Sequence, residues 1–349
     1  NYSGGRNNGH VLELATRPGA KLNHEVSVYG WGVEQGKAYW RVRNSYGSAW
    51  GDHGHVRISQ AMSGGLDTDC SWGVPTVNSS SAAQPGQGTK PVVMAAAVGQ
   101  RRRRVGGALA PRTQPRRPSV VISPLPQDYI ADEDVPESYD TRDLLGKDYT
   151  TVSRSQNIPH ACGSCWIQAS VSAVSDRIKL MRRAAFPEVV LSAQVALDCS
   201  NQNATTPNDP PDDSFTDDNC VGGHPDDVLD LLMKQGLPDD TCQSYVGVKQ
   251  DCSPQNICRA CPHDGCVAVE PKRYRIREHG EVLGEMNMTK EILARGPIAA
   301  TISVPDALEE YRGAGGPGGT VVPGTGVFND TTGYVTEDHV VEITGWGVE

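Results

Sequence analysis

No apolar run in the 349 residues approaches the ~18 to 20 residues that a helical bilayer span needs, the longest being Pro91 to Val98. A membrane partner is therefore not expected. Phenylalanine (3) and methionine (6) are scarce, but 37% of the residues are hydrophobic. A chain of this length and composition can bury a sizeable core, so disorder does not describe the whole of it. Acidic residues are missing altogether from Ser71 to Gln127, where Lys90, Arg101, Arg102, Arg103, Arg104, Arg112, Arg116 and Arg117 contribute +8. With a net charge of -10, the remainder must carry -18. The basic stretch is rich in Pro, Gly, Ser and Ala, the composition of a linker or processing segment. No aromatic residue interleaves with Arg101 to Arg104, which argues against nucleic acid as a partner.

Ten cysteines and five Asn-x-Ser/Thr sequons (Asn1, Asn78, Asn203, Asn287 and Asn329) fit the secretory pathway, where disulfides persist and asparagines are glycosylated. The chain shows neither an initiator Met nor a signal peptide, so a window on a longer product is expected.

An internal repeat carries more information than any single motif. His24-Glu25-Val26-Ser27-Val28-Tyr29-Gly30-Trp31-Gly32-Val33-Glu34 recurs as His339-Val340-Val341-Glu342-Ile343-Thr344-Gly345-Trp346-Gly347-Val348-Glu349. Seven of the eleven positions are identical at an offset of 315, so one repeat period plus a 34-residue overlap is expected. In the first copy His24, Val26 and Val28 alternate to one face, Gln35-Gly36 makes a turn, and Tyr39 to Asn44 returns as a strand. Ile167, Val171, Val174, Ile178 and Met181 recur at helical spacing, predicting an amphipathic helix from about Cys165 to Arg183. A second helix is expected from about Pro225 to Gln235, with Pro in its first turn and Gly236 just beyond its end.

Cys162-Gly163-Ser164-Cys165-Trp166 opens the long helix. A thiol at a helix N-terminus faces the positive end of the dipole, which favours the nucleophilic thiolate. The hairpin offers a base: His24 opens one strand opposite the end of the next, where Asn44 could hold the imidazole by the ring nitrogen facing away from the thiol. Cys, His and Asn in these roles make an acyl-transfer set.

These motifs resemble the papain family of cysteine peptidases. Cys162 to Trp166 matches the family's nucleophile motif, Asn44-Ser45-Tyr46-Gly47-Ser48-Ala49-Trp50-Gly51 is similar to its NSWGxxWG motif, and Cys220-Val221-Gly222-Gly223 to its CxGG substrate loop. The resemblance covers roughly 1 to 77 and 130 to 349. It implies an α+β, two-domain papain-like fold, a helical half plus a β-barrel-like half, incomplete or circularly permuted in this window. It implies Cys165 as nucleophile, His339 or His24 as general base and acid, Asn44 as orienting amide and Gln156 as oxyanion donor. Gly222 and Gly223 would bind substrate backbone. The substrates would be peptides or proteins, without metal or cofactor, in a lysosomal or other acidic vesicle, or outside the cell. Gln156 lies nine residues before Cys165, farther than is usual in the family, as in a carboxypeptidase branch with a longer loop here. Ile158 and Pro159 match that loop. Asn157 stands where the branch has a histidine for the substrate's C-terminal carboxylate, and His160, three residues on, is read either as a substitute donor or as an exposed loop histidine with no role.

The same resemblance implies four disulfides, Cys162 with Cys220, Cys199 with Cys252, Cys242 with Cys258 and Cys261 with Cys266, and leaves Cys70 free or intermolecular. Cys258, Cys261, His263 and Cys266, with Cys252 upstream, also have the spacing of structural zinc ligands. No cysteine falls between Cys70 and Cys162, so a thiol-capped zymogen is not expected, and Tyr46 replaces a tryptophan that shields the His-Asn pair. Gly313 to Gly326 reads as a flexible surface loop, lacking the Lys-Ser/Thr end of a phosphate loop.

The expected organisation is residues 1–77 as the C-terminal part of an upstream peptidase unit, 78–132 as linker or propeptide, and 133–349 as a second unit cut after its histidine. Asn44 then precedes Cys165, so a complete site requires 1–77 to dock on 133–349, with the His24 and His339 segments competing for one strand position. A catalytically impaired, secreted binding protein is the alternative function.

Overall fold

The computed structural model describes residues 11–14, 24–34, 36–45, 54–76, 119–200, 220, 222–263, 265–302 and 339–348. Its strands are β1 (Val11–Leu14), β2 (His24–Glu34), β3 (Lys37–Asn44), β4 (His55–Ser63), β5 (Cys70–Thr76), β6 (Tyr139–Asp140), β7 (Arg259–Ala260), β8 (Val267–Ala268), β9 (Arg275–Val282), β10 (Ile298–Ile302) and β11 (His339–Val348). Its helices are α1 (Cys165–Met181), α2 (Ala193–Cys199), α3 (Pro225–Lys234), α4 (Pro254–Ile257) and α5 (Glu285–Arg295). The segment from 77 to 118, the motif beyond Ser45 and the Gly313 to Gly326 stretch lie outside the described residues.

Both expected helices are present. Helix α3 has Pro225 at its start and Gly236 at φ +75 beyond its end, a backbone conformation that glycine adopts at little cost. In α1, Ile167, Val171, Val174 and Ile178 are buried, but Met181 is 42% exposed because the last turn runs past the core. The helix is also less one-sided than its periodicity predicts. Gln168, Ser170, Ser172, Ser175, Asp176 and Arg177 are buried too, since β2, β5 and β10 pack on α1 as well as α2 and α3.

The hairpin of β2 and β3 forms with Trp31 opposite Trp40 and Gly36 in the turn at φ +79. Alternation suggested a strand with one apolar face, yet nearly every residue of β2 is buried, because α1 and α5 both pack against it. Seven strands share one mixed sheet, ordered β1-β4-β3-β11-β10-β2-β6, with further pairings of β2 to β3, β2 to β11 and β6 to β11. Strands β5 and β9 form a separate antiparallel pair.

The core has two parts. Val26, Val28, Trp31, Trp40, Ile58, Met288 and Ile298 fill the sheet half, whereas Trp166, Val171, Leu191, Leu197, Val228 and Leu232 fill the helical half. Buried ion pairs cross between them. Asp176 and Arg177, neighbours on α1, reach in different directions, the first to Arg43 of β3 and the second to Glu291 of α5. Residues 119–132 are held to the 278–295 region: Glu278 Oε2 accepts the N–H groups of Ile122 and Ser123, each at 2.8 Å, and Lys290 pairs with Asp132.

Four disulfides join Cys162–Cys220, Cys199–Cys252, Cys242–Cys258 and Cys261–Cys266, as the resemblance implied. The zinc alternative loses its ligands, because each sulfur it needed is held in a disulfide, Cys261 with Cys266, Cys258 with Cys242 and Cys252 with Cys199. Cys70 is a buried thiol, its Sγ 2.9 Å from Leu66 O and 3.6 Å from Met288 Sδ. That burial argues against an intermolecular disulfide.

One buried carboxylate makes stability depend on pH. Asp198 in α2 is 2% exposed, and burial pushes its carboxyl from 3.8 up to about 7 despite hydrogen bonds from Gln250 N–H and the Gln194 amide. With its folded pKa above the unfolded one, the folded chain holds an extra proton between these values. The contribution is complete below about pH 4 and is lost as pH rises through about 7. The melting temperature is expected to fall between pH 5 and pH 8. Asp198→Asn, which mimics the protonated acid, should remove roughly 2–4 kcal/mol of that loss, as read by denaturation at both pH values.

Candidate active site

His24 is the first residue of β2 and Asn44 the last of β3, so the hairpin brings its two ends together. His24 Nε2 lies 2.9 Å from Asn44 Oδ1, and both residues are buried. The same Oδ1 accepts the backbone N–H of Ser45 at 2.7 Å, which fixes the amide with its oxygen toward the ring. A carbonyl oxygen cannot donate, so the proton of that contact sits on Nε2. In the neutral ring the basic lone pair is therefore on Nδ1. Asn44 is anchored in turn by its own N–H to Gly54 O at 2.9 Å.

Cys165 is the first residue of α1 and is fully buried. The loop before it is fixed by the Cys162–Cys220 disulfide and by Gly163 N–H donating to Cys220 O at 2.7 Å. Gln156 joins the other side of the site. Its N–H donates to Ser45 O at 2.7 Å, and the Ser45 hydroxyl donates to Gln156 Oε1, leaving the Nε2 hydrogens to point elsewhere. Tyr245 ties this loop to the start of α1: its hydroxyl lies 2.6 Å from Ser164 Oγ and donates to Gln156 O at 3.2 Å. Ser45 and Tyr245 were not identified as site residues from the sequence. Ser45 stood in view within the Asn44 motif, whereas Tyr245 carries no local signal.

Gly223 has a packing role. A Cβ on Gly223 would lie 2.3 Å from Trp166 Cε2, and that ring is itself fully buried. Gly222 adopts φ +119. His160 and Asn157 are exposed on the loop between Gln156 and Cys162, and His160 O would meet a Cβ on Gly247 at 2.5 Å. His339 opens β11 and stands opposite Ile302 of β10, the position that His24 also takes. His24, Asn44, Ser45 and Gln156 are thus joined by hydrogen bonds, and Cys165 opens α1, the helix that packs against β2.

The family model described as Papain family cysteine protease matches residues 2–74 and 135–349. Cathepsin Z of Onchocerca volvulus is 33% identical over 229 residues, which cover 64% of this chain and 66% of that protein. Cathepsin B-like cysteine proteinase 1 of Ostertagia ostertagi is 26% identical over 259 residues, with the same shares covered. The chain spans just under two thirds of the length of these relatives. Among solved structures, proCathepsin B S9 from Trypanosoma congolense aligns with a TM-score of 0.36 and 19% identity, covering 55% of this chain and 58% of that one.

Proposed function

Because the chain belongs to the papain family of cysteine proteases, we propose that it hydrolyses peptide bonds through Cys165, a histidine at the His24 position, Asn44 and Gln156. The observation that carries this reading is the 2.9 Å contact of His24 Nε2 with Asn44 Oδ1, which leaves Nδ1 as the base. Nδ1 takes the thiol proton of Cys165, and the resulting thiolate Sγ attacks the carbonyl carbon. The oxyanion is held by the Cys165 N–H and the Gln156 amide N–H groups. Protonated Nδ1 then gives its proton to the departing amine, and the thioester is hydrolysed by water that Nδ1 deprotonates.

More narrowly, we assign a carboxypeptidase of the cathepsin X (cathepsin Z) type. The longer loop from Gln156 to Cys165 supports this reading, with His160 as donor to a substrate's C-terminal carboxylate. Residues 1–77 and 133–349 act as parts of two tandem units, joined by the basic segment and working in an acidic vesicle or after secretion. Among the described residues no helix is long and apolar enough to cross a membrane.

Two peptides alike except for a free or amidated C-terminus separate the possibilities. Cleavage of the free acid at least about 10-fold faster is expected, since one charge-assisted hydrogen bond contributes ~1.5–3 kcal/mol. Equal rates would leave a cysteine peptidase but reject the exopeptidase. If Cys165 fails to react with a thiol-directed peptidyl inhibitor, the impaired binding protein is the better description.

A further inference from the structure

Strands β2 and β11 read the same neighbours. Ile298 of β10 faces Val28 in one pairing and Ile343 in the other, Ala300 faces Val26 and Val341, and Ile302 faces His24 and His339. Arg41 of β3 takes Gly30 and Gly345, while Tyr139 of β6 takes Trp31 and Trp346. Every alternative is separated by the 315 residues of the repeat.

Two strands on opposite edges of β10 could not also pair with each other. Yet Glu25, Val26, Ser27 and Val28 pair in parallel with Val340, Val341, Glu342 and Ile343. One strand edge hydrogen-bonds to one neighbour about 4.7–4.9 Å away. The place beside β10 is therefore single, and both segments answer to it.

We propose that this place is one docking site with two alternative occupants, and that the chain exchanges between a form holding residues 24–34 and a form holding residues 339–348. Asn44 serves both forms, because β3 registers with either strand. The sequence differences set the preference. Tyr29 is buried edge-on against His55 and under the Arg142 guanidinium, and the second copy has Thr344 at that place. Ser27 is fully buried where the second copy has Glu342, and Glu25 is buried where the second copy has Val340, so each copy brings one carboxylate and the contacts of Tyr29 decide. The form holding β2 is the major one.

Disulfide trapping in the full chain tests the exchange without invoking catalysis. Ala300→Cys is combined with Val26→Cys in one variant, with Val341→Cys in a second, and with both in a third. Each two-cysteine variant is expected to cross-link, and the third should yield both products in separate molecules, the 26–300 bond in several-fold excess. Adding Ser27→Glu and Tyr29→Thr to the third should shift the ratio at least about 5-fold toward 341–300. Absence of the 341–300 bond in every background would overturn the proposal. Thr301, opposite Glu25 and Val340, repeats the test on the next pair if cysteine at 300 prevents folding. An activity arm rests on the peptidase reading: His24→Ala should keep a measurable fraction of hydrolysis that the added change His339→Ala removes. If the cross-links form while all variants are inactive, the peptidase reading fails and the exchange stands.

Discussion

Cys165→Ser is expected to lower kcat/KM for peptide hydrolysis by at least about 10⁴-fold while the protein remains folded. Cys165 is fully buried at the first turn of α1, three residues after the Cys162 of the Cys162–Cys220 disulfide, and α1 packs against β2, the strand that His24 opens. Serine is close in size, so packing changes little. The chemistry changes more, because an alcohol is far harder to ionise than a thiol, and a site with an Asn-held imidazole has no aspartate to strengthen its base. Cys70→Ser is the control. That thiol is also buried, and it contacts Leu66 O and Met288 Sδ. Its loss should leave kcat/KM within about 2-fold, the scale of a distant and independent substitution. Progress curves on one fluorogenic peptide, with circular dichroism melts of both variants, give the comparison. Hydrolysis retained by Cys165→Ser would reject the nucleophile, and equal losses in both variants would point to general destabilisation.

How far the sequence reaches is visible in α1 and the hairpin. The spacing of Ile167, Val171, Val174 and Ile178 located the helix, because burial on one face leaves a period that can be counted. It did not disclose that Asp176 and Arg177 are buried as well, since their partners, Arg43, Thr151 and Glu291, lie far away in the chain. Adjacent opposite charges on a helix look the same whether they are solvated or locked into separate halves of a core. His24 and Asn44 were legible as a pair because a hairpin relates them through its own register. Gln156 and Ser45 meet across 111 residues, and no local rule predicts that contact. The zinc reading of Cys258 to Cys266 failed for a related reason: spacing shows that sulfurs are close, not whether they bind a metal or one another. The repeat and the competition of its two copies for one strand position were legible in the sequence, and the strand register adds which residues of β10 each copy meets.

Asp176→Ala is expected to destabilise the fold by about 3–5 kcal/mol, the usual consequence of leaving one partner of a buried ion pair uncompensated. Asp176 and Arg43 are 0% and 1% exposed, with Nη2 and Oδ2 2.9 Å apart. Asp176 Oδ1 accepts both the N–H and the hydroxyl of Thr151, each at 2.7 Å, and Arg43 Nη1 donates to Thr151 O at 2.8 Å. Removing the carboxylate therefore strands a guanidinium and orphans two further donors at once. Arg43 immediately precedes Asn44, and Asp176 lies on the helix that begins at Cys165, so the pair joins the two elements on which the proposed mechanism depends. Denaturant melts should show a lower midpoint with an unchanged slope, and under folding conditions kcat should fall more than KM rises. The double variant Arg43→Met with Asp176→Leu separates charge from volume, since well-packed apolar replacements of buried pairs are often neutral or stabilising. It should recover most of the lost stability. It should not recover all of the activity, because the carboxylate that holds residue 43, and through it Asn44, has no apolar equivalent. A loss below about 1 kcal/mol for Asp176→Ala would mean that water reaches the guanidinium and that the pair does not set the position of Asn44.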